Sequence, residues 1–234
     1  MSEVAAVVLA GGSGTRFSDD ISKVYVPLGE RPVLQYALET VELSSHVDHI
    51  VVVIRDVDET HWADVQAMVQ PTKVRAAVVG GSTRHASEWA GLQAIVEHVP
   101  QTRWVMLHDA ARPFLTLDLV ARLVDTATGT GAGVVPAHSF TDDIVDQSGR
   151  LVDGSKLVSV QTPQLFSLAD LTAAYSAAAA DNFHGVDTAE TVQVYRSTPI
   201  RHVASDRRNI KITTLDDLLV AESWVSEWDR GRWV

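Results

Sequence analysis

The chain reads as an α/β protein, a mainly parallel sheet between helices, on three observations. Apolar strand-like runs alternate with helical patterns along all 234 residues, the order that places helices on both faces of a sheet. The strand runs are nearly continuous in Val, Ile and Leu, as strands buried on both faces require. No stretch rich in Pro, Gly or Ser divides them, so residues 1–234 read as one domain.

The elements follow in order. A first strand, 4–10, is the apolar run Val4 to Leu9, and a glycine-rich turn ends it. Helical spacing predicts 32–43 and 59–69 on either side of a strand at 49–54, and a strand at 74–79 runs into Gly80-Gly81. The helix 84–98 carries Trp89, Leu92, Ile95 and Val96 behind a Ser82-Thr83 cap. A strand at 103–108, built on Trp104-Val105-Met106-Leu107, precedes a helix at 116–128 and a strand at 132–136. Residues 138–156 break the pattern: they are polar and turn-rich, with Ile144-Val145 and Leu151-Val152 set to pair across Gln147-Ser148-Gly149. Such a hairpin is marginal alone and has to pack on something, a second subunit being the natural candidate. A strand at 157–161, helices at 167–180 and 187–196, and a strand at 200–204 follow. Helix 215–228 closes the series, with Thr214 as its cap and Asp216 and Asp217 in its first turn. Tryptophans 224, 228 and 233 are expected to cover the core or a subunit contact.

Composition removes several classes of function. The absence of cysteine excludes disulfides and thiolate metal sites. No apolar run approaches the roughly 20 residues needed to cross a bilayer, and no charged leader precedes the first strand, so a cytoplasmic enzyme without membrane partners is expected. A net charge of −11 argues against a nucleic-acid surface. An acidic chain that binds an anion must concentrate positive charge locally, and Arg16, Lys23, Arg112, Arg207, Arg208 and Lys211 are the candidates.

The most informative stretch is Leu9-Ala-Gly-Gly-Ser-Gly-Thr-Arg-Phe, with Lys23 shortly after it. Gly11, Gly12 and Gly14 allow a backbone whose amides approach a ligand closely, and Arg16 and Lys23 add two cations. Phe17 replaces the third glycine of a dinucleotide fingerprint, and Thr15-Arg16 replaces the Lys-Ser/Thr of a Walker loop. What remains is a polyphosphate cradle of the Gly-x-Gly-Thr-Arg…Lys kind. A second cluster, Gly80-Gly81-Ser82-Thr83-Arg84-His85-Ala86-Ser87, ends a strand and opens a helix, where backbone donors point outward. The third, His108-Asp109-Ala110-Ala111-Arg112-Pro113-Phe114, follows a strand at the edge where open sheets bind ligands. Asp109 there suits a divalent cation or a ribose hydroxyl, Arg112 suits a phosphate, and His108 reads as a core histidine. Gln161-Thr162-Pro163-Gln164 and Asn209-Ile210-Lys211-Ile212-Thr213-Thr214 complete the set, Lys211 reading as a further phosphate contact.

In this order the five motifs resemble the family of methylerythritol-phosphate and ribitol-5-phosphate cytidylyltransferases, over nearly the whole chain. The resemblance implies a Rossmann-like nucleotidyltransferase domain that uses CTP with Mg²⁺ or another divalent cation. It also implies a homodimer whose protruding β-arms embrace, with residues 138–156 matching that arm. Arg16, Lys23 and Lys211 would then be catalytic. Ala10, Gly11, Gly12, Ser13, Gly14, Gly81, Arg84, Ser87, Asp109 and Ala110 would bind CTP. Asp109, Arg112, Asp143, Thr162, Asp187 and Lys211 would bind the phosphorylated acceptor, and the metal would be held mostly through the CTP phosphates with Asp109 as the carboxylate on that side. An acceptor phosphate oxygen attacking the α-phosphorus in line needs positioning and charge stabilisation rather than a nucleophile.

Three acceptor-side positions depart from the family pattern. Asp142-Asp143 stands where the arm carries Asp-Thr, Gly154 where an arm arginine is usual, and Val186-Asp187-Thr188-Ala189-Glu190 where the family has Thr-Asp-Asp/Glu-Ala-Ser. The acceptor is therefore left open at this point, among ribitol 5-phosphate, 2-C-methyl-D-erythritol 4-phosphate, another polyol phosphate or a phosphonate. A nucleotidyltransferase for sugar 1-phosphates and a non-catalytic nucleotide-binding homologue are the other readings.

Overall fold

Alternation along a single strand explains the layering. In β1 (Val4–Leu9), residues Val4, Ala6 and Val8 enter one apolar cluster while Ala5 and Val7 enter another, so the sheet is covered on both faces. The computed structural model describes residues 3–12, 22–140 and 143–231.

After β1 come the short strands β2 (Pro27–Leu28) and β3 (Arg31–Pro32), then α1 (Val33–Leu43), β4 (His49–Ile54), α2 (Glu59–Val69) and β5 (Val74–Val79). Next are α3 (Arg84–His98), β6 (Trp104–Asp109), α4 (Leu117–Thr130) and β7 (Gly133–Ser139). The chain continues through β8 (Ile144–Val145), β9 (Leu151–Val152), β10 (Val158–Val160) and β11 (Gln164–Ser167). It ends with α5 (Leu168–Ala180), α6 (Thr188–Tyr195), β12 (Ile200–Ala204) and α7 (Leu215–Asp229). The main sheet has the order β10-β7-β11-β6-β1-β4-β5, with β12 paired to β7. Pairings β6–β1–β4–β5 and β7–β12 are parallel; β11 runs antiparallel between β6 and β7, and β10 is antiparallel to β7.

Helices α1, α2 and α4 pack Leu34, Leu38, Trp62, Val65, Leu119 and Leu123 against one face. Helices α3, α5 and α6 pack Leu92, Ile95, Leu171, Tyr175 and Val192 against the other. A third cluster, Leu28, Tyr36, Phe114 and Ile212, is closed by Trp224 and Trp228 of α7. Those two rings lie 6.1 and 5.3 Å from Phe114, the core-covering role expected of them.

The expected elements are present with ends shifted by a residue or so, except that β7 runs three residues further, to Ser139. Strand β11 and the β2–β3 pair were not foreseen. Gln164-Leu-Phe-Ser is too short for a period to register, and it lies against the parallel grain of the sheet. The hairpin of residues 138–156 forms as β8–β9: Ile144 pairs with Val152, Gly149 takes φ +82°, and Asp146 accepts bonds from the Ser148 and Arg150 amides.

Candidate active site

The carboxyl ends of β1, β4, β5 and β6 open on a cleft of about 570 Å³ bordered by Gly11, Lys23, Arg55, Arg84, Asp109 and Lys211. It lies at the sheet edge where parallel α/β folds place ligands. Its floor depends on small residues. A Cβ on Gly80 would come within 2.6 Å of Ser87 Oγ, and one on Gly81 within 2.4 Å of Ala86 Cβ. Only glycine lets this turn approach the start of α3 so closely.

The first turn of α3 is fixed by its cap: Thr83 Oγ1 accepts from the Ala86 amide at 3.0 Å. Ser87 donates its hydroxyl to the carbonyls of Thr83 at 3.0 Å and Gly81 at 3.3 Å, tying the glycine turn to the helix. Arg84 crosses the cleft wall to Asp109, its Nε and Nη2 each 3.3 Å from Oδ1. Lys211 Nζ reaches the other oxygen, Oδ2, at 2.6 Å. Burial would push the Asp109 carboxyl up, but Arg84 and Lys211 hold it well below the usual carboxylate range. Asp109 therefore stays ionised and fixes two cations at the mouth of the cleft. Its own amide donates to Thr162 Oγ1 at 3.0 Å.

Behind this front stands a polar brace. Asn209 donates to the Thr162 carbonyl at 2.9 Å and to Gln161 Oε1 at 3.0 Å, and the Ile212 amide donates to the Ala111 carbonyl at 2.8 Å. These bonds deliver Lys211 to Asp109. His108 is fully buried between Thr162 Oγ1 at 3.3 Å and the Arg112 carbonyl at 3.1 Å. Burial pushes its pKa down to about 4, so it is a neutral core histidine as the sequence suggested.

Several expected residues do not line this cleft, although Arg112 and Asp187 lie within electrostatic reach of Asp109 and Arg84. Ala10 and Ala110 are buried, and their amides continue the sheet by donating to Val53 and Leu9 carbonyls at 2.7 and 3.0 Å, so neither amide is left for a ligand. Thr162 is likewise buried and braces Asp109 rather than lining the cleft. Arg112 donates to the Asn209 carbonyl at 2.6 Å. Asp187 caps α6, with Oδ1 bound to the Ala189 amide and Oδ2 to Gln164 Nε2, each at 2.8 Å. Asp143 lies in the arm, beside a separate recess lined by Ile144, Leu151 and Gly154. Ser13, Gly14, Arg16 and Asp142 lie outside the described residues, although Ser22 Oγ donates to the Gly12 carbonyl at 3.3 Å across that span.

Sequence reading missed Arg55 and Glu88. Arg55 follows β4 directly, a position that marks the ligand edge, and it pairs with Asp58 at 2.6 Å. Among the described residues no group of three or more acidic or histidine side chains could hold a metal, and no helix is long and apolar enough to cross a membrane.

The family model for 2-C-methyl-D-erythritol 4-phosphate cytidylyltransferase matches residues 4–227. The chain is 34% identical to the protein of that name from Syntrophus aciditrophicus, covering 98% of both chains. It is 39% identical to a bifunctional enzyme of Clavibacter michiganensis, over 95% of this chain and 54% of that protein. The solved 4-diphosphocytidyl-2C-methyl-D-erythritol synthase from Anaerococcus prevotii superposes with a TM-score of 0.83 at 28% identity, covering 96% of each chain. The chain belongs to the 2-C-methyl-D-erythritol 4-phosphate cytidylyltransferase family.

Proposed function

We propose that this chain, acting as one catalytic domain, transfers the cytidylyl group of CTP to a polyol phosphate, with 2-C-methyl-D-erythritol 4-phosphate as the acceptor. The observation that carries this reading is Asp109 holding Arg84 and Lys211 at one edge of a glycine-floored cleft. An acceptor phosphate oxygen attacks the α-phosphorus of CTP, the new P–O bond forms in line, and pyrophosphate leaves with the electron pair of the broken bond. Lys23 and Lys211, with Arg16 beyond the described residues, supply the positive charge that this step needs, and Arg84 and Ser87 hold the cytidine half. A divalent cation such as Mg²⁺ fits a site of this kind. Magnesium is commonly held by one or two carboxylates and the phosphates of the substrate; with both Asp109 oxygens engaged by Arg84 and Lys211, the CTP phosphates would supply most of its ligands, with Asp109 beside them. Such a cation would neutralise charge on the triphosphate.

Dimerisation through the arm belongs to the same reading. Val145 and Leu151 of the hairpin are 55% and 70% exposed, and a second copy is the partner that would cover them. The enzyme would work in the cytoplasm, where CTP is available.

The test is pyrophosphate release from CTP and Mg²⁺ with methylerythritol, ribitol, erythritol and glycerol phosphates, small phosphonates and sugar 1-phosphates. Methylerythritol phosphate should respond most strongly, and Lys23→Ala should lower kcat by about 10²-fold with the fold intact. A preference for ribitol 5-phosphate would assign the departures at Asp143 and Gly154 to acceptor choice. Silence with every acceptor while CTP still binds would overturn the catalytic reading.

A further inference from the structure

Glu88 takes no part in the chemistry above, yet it is completely buried one turn behind Arg84 on the same face of α3. A carboxylate in such a place is tolerated only with partners. It has three, from three helices. Tyr175 of α5 donates to Oε2 at 2.7 Å, Thr188 of α6 donates to Oε1, and Arg84 Nη1 lies 2.6 Å from Oε1. Burial pushes the Glu88 carboxyl up, and Arg84, Thr188 and Tyr175 oppose that shift.

The two ends of Arg84 are therefore unequal. The contact to Glu88 is a short, dry charge pair without hydrogen-bond alignment, whereas the contacts to Asp109 are two hydrogen bonds of 3.3 Å at the cleft wall. An anion entering the cleft can compete for the donors on the Asp109 side, but it cannot reach Glu88. We propose that Glu88 is a positioning residue: it holds the Arg84 guanidinium from behind, so that Nε and Nη2 stay presented to the cleft when a nucleotide draws them away from Asp109. This rests on the cleft being the CTP site. The competing explanation is that Glu88 only welds α3 to α5 and α6.

Glu88→Gln separates the two, because it keeps the shape, with its amide oxygen accepting from Thr188 and its NH2 donating to the Tyr175 oxygen, while removing the charge that grips Arg84. Two readouts are needed. One is the Arg84 guanidinium Nε–Hε resonance, assigned with Arg84→Lys; the other is kcat/KM for CTP. In Glu88→Gln the resonance should shift and exchange faster with water, and kcat/KM should fall by about 10- to 100-fold, as misplacement of a substrate-binding group predicts. Tyr175→Phe, which loosens the helix contact but leaves the Arg84 pair, should lower thermal stability and leave kcat/KM unchanged. Glu88→Asp, which keeps the charge but withdraws it, should fall between. In an Arg84→Ala background, adding Glu88→Gln should change nothing further. An unmoved Arg84 resonance with unchanged kcat/KM in Glu88→Gln would overturn the proposal, as would an equal loss in the Arg84→Ala background. If the wild type released no pyrophosphate from CTP while the Arg84 resonance still responded to Glu88→Gln, the nucleotide reading would fall and the anchoring of Arg84 would stand.

Discussion

His108 and Asp109 are neighbours on β6, and burial disfavours the charge of both, yet only one of them gives it up. Asp109 has two cations to offset its desolvation, and it keeps its charge. His108 is bonded to a hydroxyl and a carbonyl and gives its charge up, with its pKa pushed down from 6.5 to about 4. The folded state then binds fewer protons than the unfolded chain between those two values. The stability contributed by neutral His108 is complete above pH 6.5 and is lost as pH falls towards 4. Between pH 7 and 4.5 this amounts to about 2–3 kcal/mol. His108→Gln should lose that much less stability than the wild type over the same interval, measured from urea midpoints. Equal losses in the two proteins would show that His108 is not buried neutral. The sequence could place His108 and Asp109 at a strand end, but it could not say which would be ionised. That difference is made by Arg84 and Lys211, which come from 25 residues before and 102 residues after Asp109.

At the scale of elements, α7 illustrates how local signals and long-range packing divide the work. Its start is written in the sequence: Thr214 accepts from the Asp217 amide at 3.3 Å, and Asp217 Oδ2 accepts from the Thr214 amide at 2.8 Å, a reciprocal capping box. Thr214→Ala should destabilise the protein by about 1 kcal/mol in chemical denaturation. A change near zero would mean that the bond from the Thr213 amide to Asp217 suffices. Elements with a cap, a period and adequate length were legible in this way, and all seven helices described here fell close to their expected ranges. Strand β11 was not, since four residues carry no period and its place is decided by the pairing of Leu165 with Met106 and Val134. Glu88 escaped for a related reason. In sequence it is one more acid on a helix, and only the arrival of Tyr175 and Thr188 makes it a buried one.

For the whole molecule, the arm and the C-terminal segment matter most. Exposed Val145 and Leu151 sit near a sheet edge where Val158 and Val160 of β10 are also exposed. An apolar edge of this kind invites pairing with another copy. The wild type should sediment at twice the chain mass at micromolar concentration, and Leu151→Asp should shift it to monomer. A wild-type monomer would remove the arm from assembly. The return of α7 onto the earliest elements, through Glu222 to the Gly29 amide at 2.9 Å and Asp229 to Arg31, has a different consequence. Every described strand of the sheet ends by Ala204, and Lys211 follows them all. A chain that has formed the sheet but not yet packed the segment beyond it therefore holds Asp109 without its lysine. The charge of the cleft is thus completed by tertiary packing rather than by the sheet itself, and the cleft stays electrostatically incomplete until Lys211 has docked.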